Sequence, residues 1–184
     1  MNLDSYYDQI IKDLGDEKRP RVNLACNEKT ELIQLFESLS ESELKSNLDE
    51  FKKVLCIVCH LSAPSSEFQE GFNRLLLNKK LPKKLIPQVF QGIDHHYLGF
   101  RQISGERLSS NFLTSLKSFI SNTDKEGVHW ALQIIDGMGS QSLFFKDVIK
   151  KLNWGFMDAF SQQNRMSIQI IERLNKYWEN FSPR

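Results

Sequence analysis

The sequence predicts an all-α protein. Apolar residues recur at helical spacing in every long stretch, as in Leu3, Tyr6, Tyr7, Ile10, Ile11 and Leu14, or Phe112, Leu113, Leu116, Phe119 and Ile120. No stretch alternates at the two-residue period of a strand. The periodic segments are separated by short connections, which favours antiparallel neighbours. Because an amphipathic helix is stable mainly when its stripe is packed on other helices, the expected architecture is a set of stacked antiparallel hairpins in one domain over residues 1–184.

Taken in order, the first helix covers about 2–14 and is stopped by Gly15, and the polar stretch 16–21 with Pro20 is a loop. Asn27 is placed to cap a second helix with the stripe Leu32, Leu35, Phe36 and Leu39. Ser40 and Glu43 form a capping-box pattern that opens a third helix through Leu44, Leu48, Phe51, Leu55 and Val58, ended by the run from Ser62 to Ser65. A fourth uses Phe68, Phe72, Leu75 and Leu76; after the break containing Pro82 and Pro87 a fifth runs to about Arg101, weakened by Gly92 and Gly99. Ser109 or Ser110 caps the next, which ends at Ser121 and Asn122. Thr123 with Glu126 is a second capping-box pattern, and the helix behind it carries Val128, Ala131, Leu132 and Ile135 up to Gly137, Met138 and Gly139. The last two helices are expected over 140–152 and 166–178, with a turn or short helix at 153–164.

Composition narrows the function classes. A chain of 184 residues, 40% hydrophobic and 26% charged, is long enough to bury a sizeable core. Its longest apolar run, Val54 to Cys59, is far too short to span a bilayer. The beginning has neither a basic nor an apolar leader-like region, and the three cysteines offer no disulfide framework, so the reading is a soluble cytoplasmic protein without membrane contact. Residues 1–60 hold 8 Lys and Arg against 12 Asp and Glu, a net of −4, whereas residues 61–184 carry a net of +5. Such a gradient is able to attract an acidic partner, but the overall balance of +1 disfavours nucleic acid. Lys79, Lys80, Lys83 and Lys84 with Arg74 are the densest basic cluster; without interleaved aromatic residues they read as a solvated loop.

Residues 124–152, DKEGVHWALQIIDGMGSQSLFFKDVIKKL, resemble one unit of a HEAT-type repeat: an acidic start, Val-x-x-Ala-Leu, a Gly-containing turn and a short amphipathic helix. HEAT repeats usually place Arg directly after that Val, where this chain has His129. The resemblance implies an α-α superhelix with a concave face. For the first third of the chain an irregular helical bundle is the alternative.

Two patterns carry chemistry. Cys56-Ile57-Val58-Cys59-His60 has the C-x-x-C-H spacing of covalent haem attachment, yet both thiols continue the apolar surface of a buried helix, where free Cys behaves as a small hydrophobe. Zinc at this place needs two further ligands, and Cys26 is the one other thiol. Asp94, His95 and His96, with Glu126 and His129, are three imidazoles and two carboxylates, enough for a mononuclear site of two His and one carboxylate if His95 or His96 faces His129. The simpler reading, and the favoured one, takes Glu126 as the capping-box residue and His129 as lying on the inner-helix surface. Trp154, Gly155, Phe156, Met157 and Phe160 form an apolar knot that suits either a core or a docking patch.

The expected function is therefore a non-catalytic, protein-binding or scaffolding module without cofactor or metal. Its groove is expected to be lined by His95, His96, Tyr97, Arg101, His129 and Gln133. The alternative is a small all-α metalloenzyme built on the His and carboxylate set, with a nucleic-acid-binding helical repeat third.

Overall fold

The structure is a computed structural model that describes residues 1–41, 47–152 and 161–181. Those residues form helices and turns without a strand, as the apolar periodicity requires. They divide into two compact units, Met1–Glu106 and Arg107–Arg184.

In the first unit, α1 (Leu3–Gly15) opens with Asn2, whose side chain accepts from the Ser5 amide at 3.1 Å. Gly15 does not supply the left-handed turn that ends it. That conformation falls two residues later on Glu17, at φ 57°, while the Lys18 amide bonds back to the Asp13 carbonyl at 2.8 Å. The loop that follows is pinned to the end of α3 (Leu48–Cys59): the Val22 amide donates to His60 O and the Ser62 amide to Val22 O, both at 2.8 Å.

Helix α2 (Cys26–Glu41) begins one residue before Asn27, so Asn27 is not its cap. Glu28 reaches back instead to the Ala25 amide at 3.1 Å, the carboxylate half of a capping box. Ser40 lies inside the last turn of α2, its hydroxyl donating to Glu37 O at 2.8 Å, so it opens no helix; Glu43 and Leu44 lie outside the described residues.

Helix α3 is the centre of this unit. Phe51 and every residue from Val54 to Cys59 are buried, with α1, α2 and α5 (Ile86–Ile93) packed around it. Helix α4 (Gln69–Leu77) packs on α2 and α5. Close approach explains Gly92, which the sequence marks as a weakness in its helix: a Cβ there lies 2.3 Å from the Phe72 ring and 3.2 Å from Cys59 Sγ. Beyond α5 the chain continues through a π-helical turn, Asp94–Gly99, into α6 (Phe100–Ser104).

In the second unit, Ser109 caps α7 (Ser110–Asn122), accepting from the Phe112 amide at 3.2 Å. Helix α8 (Lys125–Asp136) is capped by Asp124, which accepts from the Gly127 amide at 3.1 Å. The Thr123/Glu126 capping box is thus corrected by one residue. Thr123 is extended and lies over Gly127, where an added Cβ meets its Oγ1 at 2.1 Å. The helix expected over 140–152 is a 3-10 stretch, Gly139–Phe145, running into α9 (Lys146–Lys150). Helix α10 (Gln162–Glu179) packs along α8, and its buried Trp178 donates from Nε1 to Ser142 Oγ at 2.9 Å. The apolar knot at 154–160 lies outside the described residues.

Candidate functional site

The π-helical turn decides the fate of the candidates at 95–97. A π turn rotates successive side chains differently from an α turn and is frequent at functional positions. Here it turns His96 and Tyr97 inward. His96 is 0% exposed; its Nδ1 accepts from the Ser65 amide at 3.0 Å and its Nε2 donates to Val58 O at 2.9 Å. Both ring nitrogens are engaged, between the Phe68 and Phe72 rings. Burial drives its pKa down to about 4, so the ring is neutral near pH 7. The Tyr97 hydroxyl donates to Gln69 O at 2.8 Å and lies 2.9 Å from Asn73 Oδ1, while Gln69 Nε2 donates to His96 O at 2.9 Å.

His129 also departs from expectation. The groove reading needs it partly exposed, but it is 4% exposed. The Ser167 hydroxyl donates to Gln163 O at 3.1 Å, so its oxygen accepts from His129 Nδ1 at 2.8 Å, and Gln133 Nε2 lies 2.8 Å from His129 Nε2. This Ser–His pair has the look of a nucleophile and base, but Ser167 is 0% exposed and its proton is committed to a carbonyl. Among the groove candidates, His96, Tyr97 and His129 are therefore framework residues, because each polar atom found a partner inside the fold. Arg101 and His95 are half-buried and Gln133 is exposed. His95, His96, Tyr97 and Arg101 belong to the first unit, His129 and Gln133 to the second.

The possible ligand sets divide in the same way, Asp94, His95 and His96 in one unit, Glu126 and His129 in the other. Among the described residues, no group of three or more His, Cys, Asp and Glu side chains is placed to hold a metal ion. In the C-x-x-C-H segment Cys56 and Cys59 are buried as expected of core thiols. Burial raises the Cys56 thiol pKa to about 11 and pushes Cys59 up as well, so neither is a ready thiolate. Cys59 Sγ donates to Gln88 O at 3.2 Å, and His60 Nδ1 bonds the Cys56 carbonyl at 2.8 Å.

What sequence reasoning passed over is the loop behind α1. Lys18, Arg19 and Arg21 line a cavity of about 400 Å³ together with His60, Ser62, Gln91 and His95, and no Asp or Glu is in its wall. Lys18 pairs with Asp16 at 3.0 Å. Arg19 and Arg21 form no ion pair with a described residue. His95 shares this wall, its Nε2 shut off from solvent and its ring lying against the backbone of Leu61 and Ala63. Burial lowers the His95 pKa, with the Arg19 charge adding to the same effect. The signal that marks this site is the run Lys18-Arg19-Pro20-Arg21, which reads as an ordinary polar loop until the fold sets it against the end of α3. Leu14 shares the wall, and with Ile11 one turn earlier it leaves an apolar strip beside the cavity, each residue 48% exposed.

Beside the basic cluster at 79–84, Arg74 is committed to Glu41 at 2.5 Å and Glu70 at 3.6 Å. No helix among the described residues is long and apolar enough to cross a membrane. Neither a family model, nor a curated protein, nor a solved structure matches the chain.

Proposed function

We propose that this chain is a protein-binding module whose recognition surface is the basic cavity of the first unit and the apolar strip on α1. One observation carries the reading: Arg19 and Arg21, neither in an ion pair with a described residue, line a cavity with Lys18, which Asp16 balances, next to exposed Leu14. Like charges held together on a surface repel unless a ligand neutralises them, and cationic clefts attract acidic partners. The fitting occupant is an acidic, amphipathic segment of a partner protein. It sets a carboxylate against the arginines and an apolar side chain on Leu14.

A non-catalytic role is supported by two of the chemistry-bearing side chains: the imidazoles of His96 and His129 are spent on hydrogen bonds within the fold. We read Asp124–Leu152 as a single HEAT-like hairpin formed by α8 and α9, serving as scaffold. The three free thiols suit a reducing cytoplasm.

The test is a fluorescence-anisotropy titration of the full chain with a labelled Glu- and Leu-containing amphipathic peptide. Binding is expected to weaken as salt is raised, to disappear in the double reversal R19E/R21E, and to weaken in Leu14→Glu. Failure of the peptide to bind, or equal binding by the charge-reversed protein, overturns the reading.

A further inference from the structure

We infer that the cavity formed by the 18–21 loop, the end of α3 and the π-helical turn is a site for a phosphate group, presented by the partner or free in solution. The inference rests on the binding reading above and narrows its ligand.

Charge is the first reason. A carboxylate carries one negative charge and answers one of the two unpaired guanidinium groups, whereas a phosphoryl group carries between about −1.5 and −2 near pH 7 and answers both. The donors are the second. Guanidinium forks bind phosphate through paired N–H bonds. Here the charged donors come from the 18–21 loop, the Ser62 hydroxyl from the turn after α3, and the Gln91 amide from α5. Donors arriving from separate walls suit a tetrahedral group with three acceptor oxygens more than a planar carboxylate.

Preorganisation is the third. Pro20 is buried between the two arginines, and the bonds joining Val22 to His60 and Ser62 hold the backbone in place, so seating an anion does not first have to order the loop.

The experiment is isothermal titration calorimetry on the full chain near neutral pH at constant ionic strength. The probes are inorganic phosphate, a phosphoserine peptide, and the same peptide with Glu in place of phosphoserine. Saturable binding of at least one phosphate probe, tighter than the Glu peptide, is expected, reduced about tenfold or more in each of Arg19→Gln and Arg21→Gln. Arg19→Lys, which keeps the charge and loses the fork, falls between. Lys79→Gln, in the other basic cluster, binds as the parent protein does.

Inorganic phosphate binding alone assigns the group to a free anion; phosphopeptide binding alone assigns it to a partner; both support the site. Phosphate probes that bind no better than the Glu peptide, or glutamine variants that bind like the parent, overturn it. Retained Glu-peptide binding then leaves the binding-module reading intact, and loss of all three removes both.

Discussion

His96 shows at the scale of one residue why a candidate site turns into framework. An imidazole with one nitrogen accepting from Ser65 and the other donating to Val58 is a neutral crosslink between the π-helical turn and the end of α3. Its pKa lies below that of the unfolded chain, so within the window from about 6.5 down to about 4 the unfolded state binds the extra proton. Stability from this group is intact above about 6.5 and is lost as pH falls, with an upper limit of about 3 kcal/mol from a shift of that size. His95 and His129 are shifted in the same direction, both by burial first. Urea unfolding of the parent and His96→Gln across this window is expected to show a shallower pH dependence in the variant; identical slopes contradict the assignment. The thiols offer a second check at this scale. Cys26 is exposed while Cys56 and Cys59 are buried, so a disulfide-exchange reagent is expected to titrate Cys26 at once and the other two only in denaturant. Rapid native-state reaction of all three speaks against the buried α3.

Helix α5 belongs to the next scale, because what matters is how near one element comes to another. Gly92 lets α5 lie against Phe72 and Cys59 at a distance no larger residue permits. Gly92→Ala is accordingly expected to destabilise by about 1 to 3 kcal/mol through overpacking, although alanine is the better helix former. Thermal unfolding decides the sign: a variant more stable than the parent means that the neighbours yield. The C-terminus of α1 gives the opposite case. Glu17 holds a left-handed conformation that favours glycine. Glu17→Gly is expected to stabilise by about 0.5 to 1 kcal/mol, the relief of strain being offset in part by the greater entropy of the unfolded chain. An unchanged or lower melting temperature is the contrary outcome.

Two compact units make up the whole molecule, each with its own buried set, around α3 in one and between α8 and α10 in the other. A unit with its own core is expected to fold without its neighbour. The fragment 1–106 expressed alone is expected to unfold cooperatively by circular dichroism and to keep the His96-dependent acid sensitivity. A non-cooperative, molten fragment shows that the second unit is required.

The helical class and most of the core were legible in the sequence because burial in an amphipathic helix is a local, periodic property: Leu32, Phe36 and Leu39, or Val128, Ala131, Leu132 and Ile135, are buried as their spacing requires. Some helix starts were legible, since Asn2 and Ser109 cap where short polar side chains are expected and Asp124 caps one residue after Thr123; others were not, α3 starting at Leu48 rather than after Ser40 and α10 at Gln162 rather than 166. The candidate site was not legible. Whether a histidine faces solvent or bridges two segments depends on partners distant in the chain, Ser65 and Val58 for His96, Ser167 for His129. The basic cavity depends likewise on a loop at 18–21 meeting Ser62, Gln91 and His95. Periodicity reports which face of an element is apolar, but charge balance and hydrogen-bond satisfaction are set by long-range neighbours, and only the tertiary structure brings those together.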